Sequence, residues 1–226
     1  MKRKSILAVF ASALLMSYVA QAGIIGNGPP NQSGGSDLNA FLEADDFTIV
    51  NPTGSEVTQI KFWALQTSPS DFAGTVYWGF YSNLGGFPDT SVASGISSAT
   101  ATSTGNTTFG LDEYSYVLDV SAILLPGSYW LVLHNGPATT PPQTTFYWAW
   151  SNGDAGNSAS AELVPLPPDR LGLNDPNHGQ WAGNSAELAF ELTANDGVPE
   201  PVSMSLVGGG LLAAWLVSRK AKGLKG

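Results

Sequence analysis

The chain of 226 residues contains no cysteine. Disulfides, a thiol nucleophile and cysteine-ligated zinc are thereby excluded, and the fold must stand on its apolar core. Histidine is almost as scarce: His134 and His178 are the two present, and neither belongs to a pair at metal-ligand spacing. A Gly-x-Ser-x-Gly elbow, a His-Glu-x-x-His helix and a phosphate-binding glycine loop are also missing. Serine-hydrolase, zinc-protease and nucleotide chemistry therefore have no motif to rest on. Positive charge is the third deficit. Between Gly23 and Val198 stand only Lys61 and Arg170 against seventeen acidic residues, a formal charge of −15 where the whole chain carries −9. So acidic a surface disfavours nucleic acid and anionic lipid, and leaves cations and neutral partners open.

The remaining basic residues lie at the two ends. Lys2-Arg3-Lys4, the mostly apolar Ile6 to Val19 and the small-x-small triplet Ala20-Gln21-Ala22 read as a secretory signal peptide over residues 1–22, cleaved before Gly23. A retained N-terminal anchor is the alternative. At the other end, a linker from residue 195 leads into Val198-Pro199-Glu200-Pro201, then sixteen uncharged residues from Val202 to Val217. A basic tail over 218–226 follows, with Arg219, Lys220, Lys222 and Lys225. The two prolines fix φ and remove backbone donors, so this element is a stiff tether that cannot extend the helix behind it. At about 1.5 Å per residue the uncharged segment spans roughly 24 Å, a marginal transmembrane helix beside a ~30 Å hydrocarbon core. Basic residues beside a span favour the cytoplasmic side and leave everything before it outside.

The tripeptide Pro199-Glu200-Pro201, an apolar segment carrying Gly208-Gly209-Gly210 and the basic tail together resemble the PEP-CTERM sorting signal of exported bacterial proteins. The resemblance covers Val198 to Gly226. It implies a Gram-negative bacterium that makes exopolysaccharide. It also implies recognition through Pro199, Glu200 and Pro201, and cutting near them by an exosortase, a membrane-embedded cysteine transpeptidase-like enzyme. The basic cluster departs from the pattern, being diluted by Ala221, Gly223 and Leu224, and the span is short. Without the resemblance, the same tail reads as an unprocessed membrane anchor.

About 176 residues remain between the two targeting segments, the size of one domain. Residues 23–37, rich in Gly, Asn, Ser and Pro, read as a flexible lead-in, and 38–194 as the domain proper. Leu38 to Val50 reads as a first strand with a turn or partner. Period-two alternation then recurs: Ile60, Phe62 and Ala64 against Lys61, Trp63 and Leu65; Val76, Trp78 and Phe80 against Thr75, Tyr77 and Tyr81. Asn83 to Asp89 is a turn cluster, and Ser91 to Thr108 is either small-residue edge strands or a loop. Tyr114, Tyr116, Leu118 and Val120 form another face. Leu125-Pro126-Gly127 predicts a hairpin into Ser128 to His134, where Tyr129, Leu131 and Leu133 oppose Trp130, Val132 and His134. Phe146, Trp148 and Trp150, then Leu188, Phe190 and Leu192, complete the pattern. With no amphipathic helix, the expected fold is all-β, an antiparallel β-sandwich of jelly-roll type.

Chemistry is harder to find in this domain. The acidic pairs Asp45/Asp46 and Asp112/Glu113 are adjacent in strands and expected to face opposite ways, which does not set two carboxyls across a cleft as a glycosidase needs. In Asn152-Gly153-Asp154-Ala155-Gly156-Asn157, side-chain oxygens of Asn152, Asp154 and Asn157 fall at spacings that suit a calcium turn, or a solvated one. The aromatics Trp63, Tyr77, Trp130 and Trp181 are candidates for a platform that stacks on sugar rings, or for covered core residues. His134 reads as a polar strand end. The reading as a whole is a non-enzymatic exported surface or matrix protein with possible polysaccharide contact. It is held transiently at the inner membrane by its C-terminal helix, with the ectodomain in the periplasm, and handled by signal peptidase and an exosortase. A secreted carbohydrate-active enzyme on the same scaffold is the alternative.

Overall fold

A computed structural model describes residues 22–138, 144–156, 160–165 and 179–196. Ala20, the motif at 199–201, the segment 202–217 and the basic tail lie outside the described residues, as do Asn157 and His178. Ala22 to Asp196 forms one compact unit of antiparallel strands in two sheets, with a short 3-10 turn at Pro69–Asp71. No helix among the described residues is long and apolar enough to cross a membrane.

The six-stranded sheet runs β12 (Gly179–Gly183), β11 (Ala161–Pro165), β3 (Leu42–Ile49), β9 (Gly127–Asn135), β5 (Thr75–Leu84), β6 (Phe87–Ser98). The eight-stranded sheet is centred on β4 (Ser55–Gln66). One side of β4 bonds β8 (Leu111–Leu124), which carries β7 (Thr100–Thr108). The other side divides. Ser55 to Phe62 bonds β14 (Phe190–Asp196), with β1 (Ala22–Ile25) beyond it; Ala64 to Gln66 bonds β10 (Phe146–Ser151), which also takes β2 (Pro30–Asp37) and β13 (Glu187–Leu188).

Alternation explains the layers. Ile60, Phe62 and Ala64 from one sheet and Phe47, Val76, Phe80, Leu131 and Leu133 from the other share a single core with Tyr116, Leu118, Trp148 and Phe190. Rings interlock there: Phe62 stacks on Tyr116 at 5.2 Å and meets Trp148 edge-on at 6.3 Å. Each fully buried large apolar side chain contributes about 1.5–3 kcal/mol before entropy is charged against it. Two sheets packed over such a core are the layout of a β-sandwich.

Two expectations are corrected and one alternative is resolved. The lead-in 23–37 is built mostly into β1 and β2, because Gly34 and Gly35 let β2 lie against Trp150 and Tyr147 where a side chain would collide. Leu125-Pro126-Gly127 makes no hairpin. β8 bonds β4 and β7 while β9 bonds β3 and β5, so the turn carries the chain from one sheet to the other, braced by the Tyr129 hydroxyl donating to the Leu125 carbonyl at 3.0 Å. Ser91 to Thr108 resolves into most of β6 and β7, and the tight turn of the preceding cluster is Gly85-Gly86, both at positive φ as a two-residue hairpin requires.

Candidate functional site

The described residues hold one group of carboxylates close enough to share an ion or a proton. Oxygens of Asp45, Asp46 and Glu187 all lie within 4.8 Å of one another. Among the described residues β3 pairs with β11 from Leu42 to Ala44, and Asp45 and Asp46 stand just beyond that ladder. Past them runs the chain after β10. Gly156 packs so closely on the Asp46 carboxyl that a β-carbon there would overlap it, and Gly153 lies equally close on the Asn27 backbone.

Asn27 ties the group together. Its amide donates to Asp45 Oδ1 at 3.1 Å, to Glu187 Oε2 at 3.2 Å and to the Leu188 carbonyl at 3.1 Å. Its side-chain oxygen accepts from the Ala155 amide at 2.5 Å, and its backbone carbonyl accepts from Ser151 Oγ at 2.7 Å. The Leu188 amide donates to Asp45 Oδ2. Asp45 and Asp46 are buried and Glu187 is half-buried.

Burial is the main cause that raises Asp45 well above the carboxylate range; the Glu187 charge adds to it, and the Leu188 and Asn27 donors oppose it. Glu187 is pushed up to about 7, again chiefly by burial, with repulsion from Asp154 and Asp46 added and hydrogen bonds to Asp45 and Asn27 opposing. Lys61, the one basic residue among those described, is engaged elsewhere: it pairs with Glu191 at 3.2 Å and lies over the Trp63 ring. Carboxylate and amide oxygens grouped in this way are fitting ligands for a hard cation.

This is not the arrangement expected from the turn at 152–157. Asn152 is exposed and bonds Asn31 at 2.9 Å, Asp154 is exposed and acts on Glu187 through its charge, and Asn157 lies outside the described residues. Asp45 and Asp46, expected to face opposite ways, each bring an oxygen within 4.8 Å of Glu187. Three acidic residues, Glu43, Asp45 and Asp46, in one short strand from Leu42 to Ile49 were the available signal.

A second acidic contact lies further along β3. Glu43 is buried, stands opposite Glu162 of β11, and neither carboxyl oxygen has a hydrogen-bond partner. Burial first, then the charges of Glu162 and Asp37, push it up to about 9, so Glu43 is a neutral acid at pH 7. Of the other acidic pair, Asp112 is exposed while Glu113 is buried and accepts from Asn106 at 3.1 Å.

The aromatic platform is not formed. Trp130 is 0% exposed and Trp63 6%, the former among Leu42, Ala44 and Val132, the latter among Leu65, Ala149 and Ala189. Tyr77 and Trp181 are half-buried against the Trp130 cluster, and Tyr77 shares a hydroxyl contact of 2.8 Å with Tyr81. His134 is buried, its ring nitrogens 3.2 Å and 3.3 Å from the Gly136 and Asn39 carbonyls, and burial holds its pKa below the usual value. It is a structural imidazole. The chain matches no protein-family model and no curated protein.

Proposed function

We propose that the chain is an exported, non-enzymatic surface or matrix protein sorted through its PEP-CTERM-like tail. The observation that carries this reading is the order of residues after Asp196: Pro199-Glu200-Pro201, sixteen uncharged residues, then Arg219, Lys220, Lys222 and Lys225. Signal peptidase acts at Ala20-Gln21-Ala22, the apolar segment holds the protein at the inner membrane with its acidic domain in the periplasm, and an exosortase releases it to the surface or matrix. The domain is a jelly-roll-like sandwich acting as cargo. Burial of the close carboxylates supports the non-enzymatic reading, since Asp45 and Asp46 present no exposed oxygen to a polysaccharide.

Mass spectrometry of the protein recovered from its native surface tests the proposal. The expected product begins at Gly23 and ends near Pro201. A protein still ending at Gly226 would replace sorting with simple anchoring, and release of reducing ends from a polysaccharide panel would overturn the non-enzymatic part.

A further inference from the structure

One end of the domain gathers uncharged loops around the strand that leads out of it. In the six-stranded sheet, Ile49 at the end of β3 lies opposite Gly127 at the start of β9, Tyr129 lies opposite Ser82 near the end of β5, and β5 turns into β6 between Leu84 and Phe87. In the other sheet, Ser55 at the start of β4 lies opposite both Leu124 at the end of β8 and Asp196 at the end of β14. The short connections 50–54 and 125–126 join the two sheets, so all these strand ends lie on one side of the domain.

That side is apolar and uncharged. Among the described residues, five of the exposed large apolar side chains gather there: Val50 at 85%, Leu84 at 68%, Phe87 at 38%, Ile123 at 74% and Leu125 at 63%. Residues 50–55, 83–88 and 120–129 hold no charged side chain, in a domain with seventeen carboxylates. The opposite end differs. There Asp112 and Glu113 face the last residues of β4, and Asp71 lies in the turn that follows.

We propose that the uncharged end docks on the surface of a lipid bilayer, with its five apolar side chains set among the headgroups and upper acyl chains. The inference rests on segment 202–217 being held in a membrane, as proposed above. Chain length selects the occupant. Five residues, 197–201, separate β14 from the uncharged segment, a reach of at most about 20 Å. The 12 residues of β4 alone extend about 40 Å, so the end at which β14 finishes is the one kept beside the membrane. Charge agrees with this choice, since exposed apolar side chains enter an interface most readily where no carboxylate must be desolvated with them. Glu56 and Asp89, exposed beside these loops, suit the ammonium groups of zwitterionic lipid.

The full chain in nanodiscs of phosphatidylcholine and phosphatidylethanolamine provides the test. Because the chain has no cysteine, single replacements each carry one environment-sensitive fluorophore. Val50→Cys and Leu125→Cys mark the docking end, and Leu211→Cys marks segment 202–217. Phe109→Cys marks the opposite end, on the turn between β7 and β8, where the side chain is 84% exposed. With nitroxide-labelled lipid in the bilayer, the labels at 50, 125 and 211 are expected to shift to the blue and lose emission, while the label at 109 keeps its emission. Leu125→Glu, made at an exposed position, is expected to restore most of the emission of the label at 50. Quenching at 211 with none at 50 and 125, equal quenching at 50, 125 and 109, or a label at 50 that ignores Leu125→Glu would overturn the docking and leave the membrane-held tail standing. An unquenched label at 211 would remove the membrane reading of the tail, and the docking with it.

Discussion

Replacing Glu43 by Gln keeps the size of the side chain and removes its titration. The folded chain holds the Glu43 proton up to about pH 9, whereas the unfolded chain releases it near 4.5. Between those values the folded state binds more protons than the unfolded state, so rising pH costs stability. The contribution is intact below pH 4.5, falls by roughly 1.4 kcal/mol per pH unit, and levels off above 9. That amounts to about 3 kcal/mol at pH 7 and about 6 kcal/mol at pH 9. Glu187 acts in the same direction up to about 7 and Asp45 is raised as well, so the difference between wild type and variant is what isolates Glu43. Urea denaturation at pH 5, 7 and 9 is the assay. Wild type and Glu43→Gln should be similar at pH 5, and the variant should gain on wild type by about 3 kcal/mol between pH 7 and 9. Parallel pH profiles, or a variant that loses ground as pH rises, would refute the reasoning.

Two further outcomes follow from the same geometry. Trp130→Ala empties a fully buried site and should destabilise the chain by about 3–5 kcal/mol in denaturant, whereas a surface platform residue would leave stability nearly unchanged. At pH 8, where Glu187 is ionised, millimolar calcium should stabilise the chain through the Asp45, Asp46 and Glu187 oxygens by about 2.7 kcal/mol at a hundredfold excess over Kd, read as a rise in Tm. Asp46→Asn should abolish the increment; no increment in wild type would mean that the group takes no calcium.

The strand faces were legible because alternation is local. Ile60, Phe62 and Ala64 had to share a side wherever β4 went, and so did Tyr129, Leu131 and Leu133. Period two does not say whether the opposite side is wet, which is why the sequence leaves Trp130 and Trp63 open between platform and covered core, although both faces of their strands are covered. Nor does a turn reveal which strand its product will bond. Leu125-Pro126-Gly127 suits a hairpin, but the partners of β9 are chosen by distant residues on β3 and β5. Asp45 and Asp46 are neighbours in sequence, but Glu187, which completes the group, comes from a strand remote from them.

The pairing of β1 with β14 carries a temporal meaning. Ala22 lies opposite Asn195, and β14 also fills one side of β4, with Phe190 opposite Phe62. A chain emerging from its N-terminus can assemble β4 with β8 early, yet half of the other flank of β4 stays bare until the final strand arrives. Loop-closure entropy over so long a separation makes such a topology slow to fold. The unit is consequently a late closer, with its first strand waiting for its last. Ala22 and Asn195 stand opposite each other, so a pull on either end of the unit acts on the seam by which the sheet is shut.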